Sequence, residues 1–264
     1  TTTTDTSNTA ALNGSDICNN SSNSELSSLL ETTVVEDGMK IHLNVAECYW
    51  CTRLSGERQL LIQDILSGRG INSSHGKSSS VSGIPSTGLV VADVFCGVGA
   101  VCLLVAKEFE RRTAEQGIRN KDNPMATSLP NITILANDWN PKAVKYLAQS
   151  IETNKFYLLR NEAVASSVTS KTGKPKLVPS NGEVEEGKAV LSLYNQEAYD
   201  FLIDLGYDLE FDENNAHGCT DDMEESSTPL TATNKKLPHH VLMNFPLEAP
   251  TFLGALRWWS WQRM

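Results

Sequence analysis

This chain of 264 residues lacks the features that mark a membrane or secreted protein. It contains no run of about eighteen apolar residues, which excludes a conventional transmembrane helix. Residues 1–13 have neither a basic stretch nor an apolar stretch, so they do not form a secretory signal. An initiator methionine is also missing, and we therefore expect a fragment or a processed chain.

Cysteine is sparse, with six residues scattered along the chain. Cys48 and Cys51 form a Cys-x-x-Cys pair, but no second pair follows at a zinc-like spacing. We interpret these two as ordinary thiols near the end of a strand. Scattered cysteines in apolar surroundings are typical of a reducing compartment. We therefore expect an intracellular protein of the cytoplasm, nucleus or mitochondrial matrix, although the arginine-free N-terminus is a poor transit peptide.

Polar segments divide the chain, and none has the apolar residues needed to offset the entropy lost on folding. We predict a disordered segment over 1–30, a hairpin and a helix over 31–67, and a disordered insertion over 68–87. One domain then covers 88–264, with insertions at 111–130, 166–188 and 208–236.

Strand and helix patterns alternate along the remaining blocks, which predicts an α/β fold: a mostly parallel sheet with helices on both faces. Two short strands over 32–35 and 39–45 flank Glu36-Asp37-Gly38, a hairpin signal, and an amphipathic helix follows over 54–66. Further strands are predicted over 89–94, 132–136, 189–194 and 240–243. The predicted helices cover 100–109, 141–154, 198–205 and a segment from about residue 250, with a polar loop over 111–130.

The most informative stretch is the turn after the first buried strand, Asp93-Val-Phe95-Cys-Gly97-Val-Gly99. Glycine lets a ligand approach the backbone closely and permits dihedral angles that other residues avoid. A dinucleotide site would show Gly-x-Gly-x-x-Gly, and the third glycine is missing here. A P-loop is excluded as well, because no Gly-Lys-Ser/Thr follows. The turn therefore favours a nucleotide-type ligand other than a dinucleotide.

Ligands of such sheets bind beyond the C-terminal ends of the strands, where several polar residues lie in this sequence. Asp138 follows the second strand, where an acidic residue can accept hydrogen bonds from ribose hydroxyls. It could instead cap the helix that begins at Pro141. Glu197 follows the third strand, where adenine is often bound, or it is a solvated turn carboxylate. Asn244 follows the fourth strand.

The Asp-x-Phe-x-Gly-x-Gly turn resembles motif I of class I S-adenosylmethionine-dependent methyltransferases. Three further blocks resemble one family of these enzymes, the archaeal/eukaryotic tRNA (guanine-37-N1)-methyltransferases. The blocks are Tyr49-Trp-Cys-Thr-Arg53-Leu-Ser-Gly-Glu57-Arg58, Ala136-Asn-Asp138-Trp139-Asn-Pro141 and Val241-Leu-Met-Asn244-Phe-Pro246. Together the motifs cover a little over half of the chain, in the order and spacing of the family once insertions are allowed.

The resemblance implies a Rossmann-like fold, S-adenosylmethionine as cofactor and methyl transfer to N1 of guanine 37 of tRNA. Glu57 matches the general base of the family, and Asn244 is expected to approach both the cofactor and the target base. The family also has an arginine upstream of the hairpin that stabilises charge on O6, and residues 24–31 contain none. The residues expected to hold the cofactor are Arg58, Asp93, Phe95, Gly97, Gly99, Asp138, Trp139, Glu197, Ala198, Asn244 and Pro246.

Two features keep other interpretations open. Only a short segment follows Pro246, so we expect the sheet to be incomplete at its C-terminal end. The formal net charge is −10, whereas tRNA-binding proteins usually present basic patches. The alternatives are a truncated, non-catalytic methyltransferase-like binding module and the aminocarboxypropyl transferase of wybutosine synthesis, although Asn-x-Pro favours methyl transfer. We expect a monomer that acts on tRNA carrying G at position 37 and does not associate with membranes.

Overall fold

The computed structural model describes residues 29–67, 88–120, 129–159, 176–179, 183–207, 237–244 and 248–259. Residues 1–28 of the disordered segment predicted over 1–30 and the predicted insertions over 68–87 and 208–236 lie outside the described residues, and so do 121–128 and 160–175. The predictions made for those segments stay predictions.

The strands form a two-stranded hairpin and, in the described part of the chain, one larger sheet. They are β1 (Glu31–Glu36), β2 (Met39–Asn44), β3 (Leu89–Asp93), β4 (Ile132–Asn137), β5 (Tyr157–Leu159), β6 (Lys176–Leu177), β7 (Ala189–Tyr194) and β8 (His240–Leu242). The larger sheet has the order β6-β5-β7-β4-β3-β8, and each of its neighbouring pairs is parallel. Its middle strands are predominantly apolar, as expected of strands buried on both faces.

Helices cover both faces of this sheet. They are α1 (Ser55–Leu66), α2 (Ala100–Asn120), α3 (Pro141–Asn154) and α4 (Ala198–Tyr207), with 3₁₀ segments at Thr52–Leu54 and Ala249–Trp258. Leu103 of α2 and Leu147 of α3 are buried in one apolar cluster, which also takes in α1. Phe201 of α4 and Trp259 are buried in a second cluster, together with Ala92 of β3. Each fully buried leucine or phenylalanine side chain contributes about 1.5–3 kcal/mol to the stability of the fold.

The β1–β2 hairpin is attached to helix α3. The backbone N–H of His42 donates to Ser150 Oγ at 2.8 Å, and Asn154 Nδ2 donates to the carbonyl of Lys40 at 2.7 Å. The N–H of Lys40 returns a hydrogen bond to Asn154 Oδ1 at 3.1 Å. These bonds satisfy backbone groups on the outer side of β2, so the hairpin is held in place beside the sheet.

The predicted fold class is confirmed: an α/β structure with a parallel sheet, helices on both faces and a preceding hairpin and helix. The prediction that α2 ends near Phe109 and gives way to a loop is wrong, because the helix continues to Asn120. Strands β5 and β6 were not predicted, and β6 lies within the segment 166–188 that we expected to be a polar insertion. The last predicted helix is a 3₁₀ segment. No helix among the described residues is long and apolar enough to cross a membrane.

Candidate functional site

The glycine turn lies at the C-terminal end of β3, in the middle of the sheet. The N–H of Val94 donates to the carbonyl of Leu242 at 3.0 Å, and the N–H of Cys96 donates to the carbonyl of Asn137 at 2.9 Å. These bonds tie the turn to the ends of β8 and β4, the strands on either side. The predicted juxtaposition of the glycine turn with the ends of both neighbouring strands is therefore present.

The two glycines of this turn serve different purposes. Both have positive φ, +55° at Gly97 and +80° at Gly99. A Cβ at Gly99 would lie 2.2 Å from Leu147 Cδ1, so this glycine permits the close packing of α3 against the turn. At Gly97, apart from the glycine itself and its two chain neighbours, no heavy atom of the described residues lies within 4 Å of the position that a Cβ would take. Gly97 therefore presents bare backbone to open space, as a ligand-binding turn requires.

Asp93 is a buried acid directly below the turn. It is 4% exposed, and its Oδ2 accepts a hydrogen bond from Cys102 Sγ at 3.4 Å. Burial raises the pKa of the Asp93 carboxyl to about 7, and the negative charge of Asp138 adds to this effect. Phe95, two residues later, packs edge-on against Phe252 of the C-terminal 3₁₀ segment, with ring centroids 5.2 Å apart.

Asp138 holds the glycine turn from the next strand. Its Oδ2 accepts the N–H of Gly97 at 2.7 Å, and its Oδ1 accepts the N–H of Asn140 at 2.8 Å. The cap of helix α3 is Asn140, whose side chain accepts the N–H of Lys142 at 3.0 Å. The carboxylate of Asp138 therefore faces the turn instead of capping the helix.

The other strand-end residues also have defined places. Trp139 is 77% exposed beside Asp138. Glu197 Oε2 accepts the N–H groups of Tyr199 at 2.7 Å and Asp200 at 3.4 Å, so it caps the first turn of α4. Ala198, the first residue of that helix, is buried. Glu197 is exposed, so this capping is compatible with both interpretations of the residue, and its contact with adenine stays a prediction.

The segment after the hairpin lies beside these strand ends. Asn140 Nδ2 donates to the backbone carbonyl of Glu47 at 2.8 Å, and Lys142 Nζ pairs with the carboxylate of Glu47 at 3.3 Å. Cys48, which follows, is buried, and Cys51 is half-buried; both are free thiols. These contacts connect the hairpin element to the edge of the candidate site.

Arg58 and Glu57 are neighbours on α1 with opposite surroundings. Arg58 is buried and forms a bidentate pair with Glu36, with Nε–Oε1 at 2.8 Å and Nη2–Oε2 at 2.6 Å. Its guanidinium also lies over the ring of Trp50, 5.1 Å from the centroid, and donates to the carbonyl of Cys51. Glu57 lies in the first turn of α1 and is exposed. The pair therefore anchors the start of α1 and leaves Glu57 accessible.

Asn244 is exposed two residues beyond the end of β8. Because Leu242 of β8 is level with Asp93 of β3, Asn244 follows the strand next to the glycine turn. The predicted role of Pro246 falls on a residue outside the described ones.

Asn137 is a site residue that the sequence-based prediction did not include. Its side chain is fully buried at the end of β4, where it bonds to the turns that follow β3 and β7. The only sequence signal is its position immediately before Asp138, which identifies a strand end but not its bonding partners.

Comparison with known proteins supports the family suggested by the motifs. No protein-family model matches the chain. The curated tRNA (guanine(37)-N(1))-methyltransferase 2 of Phaeodactylum tricornutum (strain CCAP 1055/1) is 32% identical over 227 residues, which are 86% of this chain and 27% of that protein. The tRNA (guanine(37)-N(1))-methyltransferase of Paramecium tetraurelia is 30% identical over 172 residues, covering 65% of this chain and 28% of that protein. The chain thus spans just over a quarter of the length of these relatives.

A solved structure, the crystal structure of WT Trm5b from Pyrococcus abyssi, is similar over 65% of this chain and 29% of that chain. Its sequence identity is 22% and its TM-score is 0.32. Over most of its length, the sequence of this chain is therefore similar to tRNA (guanine(37)-N(1))-methyltransferases.

Proposed function

We propose that this chain transfers a methyl group from S-adenosylmethionine to N1 of guanine 37 of tRNA. The observation that carries the proposal is the 32% identity to a tRNA (guanine(37)-N(1))-methyltransferase over 86% of the chain. The glycine turn at the end of the central strand supports it, because that is where an α/β sheet of this kind binds a nucleotide-type ligand.

The residues around the turn fit a cofactor that contains adenosine. The open face of Gly97 admits a ligand against the backbone. A carboxylate oxygen can accept about two hydrogen bonds, so each oxygen of Asp138 can take a ribose hydroxyl beside its backbone partner. The exposed indole of Trp139 offers a flat apolar surface next to that position, and Glu197 and Ala198 begin the turn beyond the neighbouring strand. Asp93, Phe95 and Gly99 help to fix the conformation of the glycine turn.

The proposed chemistry requires a base, because guanine N1 carries a proton at neutral pH. S-adenosylmethionine supplies an electrophilic methyl group on its sulfonium when it is bound. We assign the removal of the N1 proton to Glu57, whose exposed carboxylate stands at the start of a helix anchored by the Arg58–Glu36 pair. Arg58 uses Nε and Nη2 for Glu36, so Nη1 is the nitrogen through which it would contact the cofactor.

Asn244 is assigned to the other side of the turn. Its amide can both donate and accept hydrogen bonds, which suits contact with the edge of a guanine base. Its position after β8, next to β3, supports this role. An intracellular location is consistent with the free thiols of Cys48, Cys51, Cys96 and Cys102.

The experiment that tests the function compares binding and transfer for the purified chain. Cofactor affinity is measured by calorimetry, and transfer is measured with labelled S-adenosylmethionine and an unmodified tRNA transcript carrying G37. Glu57→Gln should keep the cofactor affinity and lower the transfer rate by about 10²- to 10⁴-fold, the contribution typical of a general base.

A matched control and a second transcript complete the design. Asp64→Asn removes an exposed carboxylate from the same helix and should leave transfer unchanged. Transfer should also disappear when G37 is replaced. Cofactor binding without any transfer by the unmodified chain would indicate a binding module and would refute the proposed activity.

A further inference from the structure

One buried side chain at the end of β4 connects the turn after β3 with the turn after β7, and most of the proposed cofactor-binding residues lie in these two turns and in the turn after β4. Asn137 is 0% exposed at the end of β4. Its Nδ2 donates to the carbonyl of Val94 at 3.2 Å, in the turn after β3, and to the carbonyl of Gln196 at 3.1 Å, in the turn after β7. Its Oδ1 accepts the N–H of Gln196 at 3.0 Å. One amide thus satisfies three backbone groups of two separate turns.

The backbone of the same residue adds a fourth connection. The carbonyl of Asn137 accepts the N–H of Cys96, the residue before Gly97. Asn137 also directly precedes Asp138, which holds the N–H of Gly97. On the other side, Asn195 Nδ2 donates to the carbonyls of Asp138 at 2.7 Å and Trp139 at 3.0 Å. The turns after β3, β4 and β7 therefore form one hydrogen-bonded unit with Asn137 at its centre.

We propose that Asn137 is a positioning residue: it fixes the glycine turn relative to the turn after β7 and so preforms the pocket for the cofactor. This inference rests on the proposed function, since it concerns the same ligand. Preforming a site removes the cost of ordering it when the ligand binds. Without the amide, the buried carbonyl of Val94 and the part-buried backbone groups of Gln196 lose this partner, and the two turns separate or take in water to satisfy them.

The chain contains a matched control at the other end of the same strand. Asn131 directly precedes β4 and also connects it to β3 and β7. Its carbonyl accepts the N–H of Leu89 at 3.1 Å, and its Oδ1 accepts the N–H of Lys188 at 2.9 Å. These contacts lie at the N-terminal ends of the strands, opposite the candidate site. Asn131 therefore serves as the control for an asparagine whose role is purely structural.

The test compares Asn137→Ala with Asn131→Ala in the full chain. We expect both substitutions to lower the free energy of unfolding, measured by chemical denaturation. Asn137→Ala should also weaken S-adenosylmethionine binding, measured by calorimetry, by roughly 10- to 100-fold, because small displacements of positioning groups cost that much. Asn131→Ala should change this affinity by less than about twofold. Hydrogen exchange of the turns at 94–97 and 195–197 should accelerate in the first variant only.

A second variant covers the case in which Asn137→Ala does not fold. Asn137→Asp has nearly the same shape and keeps an acceptor for the N–H of Gln196, but it replaces the donor to both carbonyls with an oxygen. It should weaken cofactor binding in the same range.

The outcomes separate this inference from the function on which it rests. If the unmodified chain does not bind S-adenosylmethionine, the proposed function fails before Asn137 is tested. If the unmodified chain binds and the variants at 137 bind equally well, or if Asn131→Ala loses affinity to the same extent, Asn137 has no positioning role.

Discussion

Replacing Asp93 with asparagine should change how the stability of this protein depends on pH. The Asp93 carboxyl is 4% exposed, contacts Cys102 and lies near the negative charge of Asp138. Burial raises the pKa of this carboxyl from 3.8 to about 7. In the unfolded chain the group ionises near its ordinary pKa, so the folded protein holds the proton over a pH range in which the unfolded chain has lost it.

The sign and the size of the effect follow from this difference. Between about pH 4 and pH 7 the folded state binds more protons than the unfolded state, so stability falls as the pH rises through that window. The total cost above pH 7 is about 4 kcal/mol, since each pKa unit corresponds to about 1.4 kcal/mol. Between pH 5 and pH 8 the cost grows by about 2–3 kcal/mol. Asp93→Asn removes this part of the pH dependence.

The assay is urea denaturation followed by tryptophan fluorescence, carried out at pH 5 and pH 8 on both proteins. The asparagine loses the hydrogen bond with Cys102 if its amide nitrogen takes the place of Oδ2, which lowers stability by about 1 kcal/mol at both pH values. The informative quantity is therefore the difference in the free energy of unfolding between pH 5 and pH 8. As a control, Asp200→Asn removes an exposed carboxylate and should keep the wild-type change. If the free energy of unfolding changes between pH 5 and pH 8 by the same amount in Asp93→Asn and in the wild type, the reasoning is refuted.

Three further substitutions test the geometry of the site. Gly99→Ala places a Cβ 2.2 Å from Leu147 Cδ1 at a φ of +80° and should lower the free energy of unfolding by about 3 kcal/mol, measured by denaturation. Gly97→Ala has open space around it and should lower stability by only about 1 kcal/mol, yet weaken S-adenosylmethionine binding in calorimetry; wild-type affinity would contradict the proposed ligand face. Arg58→Ala leaves the Glu36 carboxylate buried without its cation and should lower stability by about 3 kcal/mol, part of which a Glu36→Ala substitution in the same chain recovers.

Elements with strong local signals were predictable from the sequence. The predicted third strand over 189–194 coincides with β7, because its apolar run is long enough to be buried on both faces. The predicted helix over 141–154 coincides with α3. Pro141 suits the first helical turn and Asn140 provides the cap, so the start of this helix is encoded locally.

Elements without an apolar signal were missed. The second half of α2 is rich in charged residues, and Arg111 and Arg112 pair with Glu108 at 2.7 and 2.8 Å along the helix surface. Ion pairs at this spacing support a helix without apolar periodicity, so the segment resembled a polar loop. Strands β5 and β6 have three and two residues, and they are ordered by their place at the edge of the sheet, where β5 pairs with β7 and β6 pairs with β5.

The parts of the site that depend on which residues follow a strand could be predicted from the sequence. The parts that depend on the order of the strands in the sheet could not. The alternation of strands and helices placed Asp93, Gly97 and Asp138 near one another, and the hydrogen bond from Gly97 to Asp138 agrees with that placement. The bonds of Asn137 depend on β4 lying between β3 and β7, which the sequence does not state. The Arg58–Glu36 pair likewise joins a helix to a hairpin through their packing.

The proposed activity of this chain is methylation of N1 of guanine 37 of tRNA. The most direct measurement is to incubate the purified chain with S-adenosylmethionine and an unmodified tRNA transcript, digest the product with nucleases and identify the modified nucleoside and its position by mass spectrometry. We predict 1-methylguanosine at position 37, and none with Glu57→Gln over the same time. A methyl group at another atom or position, or an unmodified transcript when the cofactor is bound, would contradict the claim.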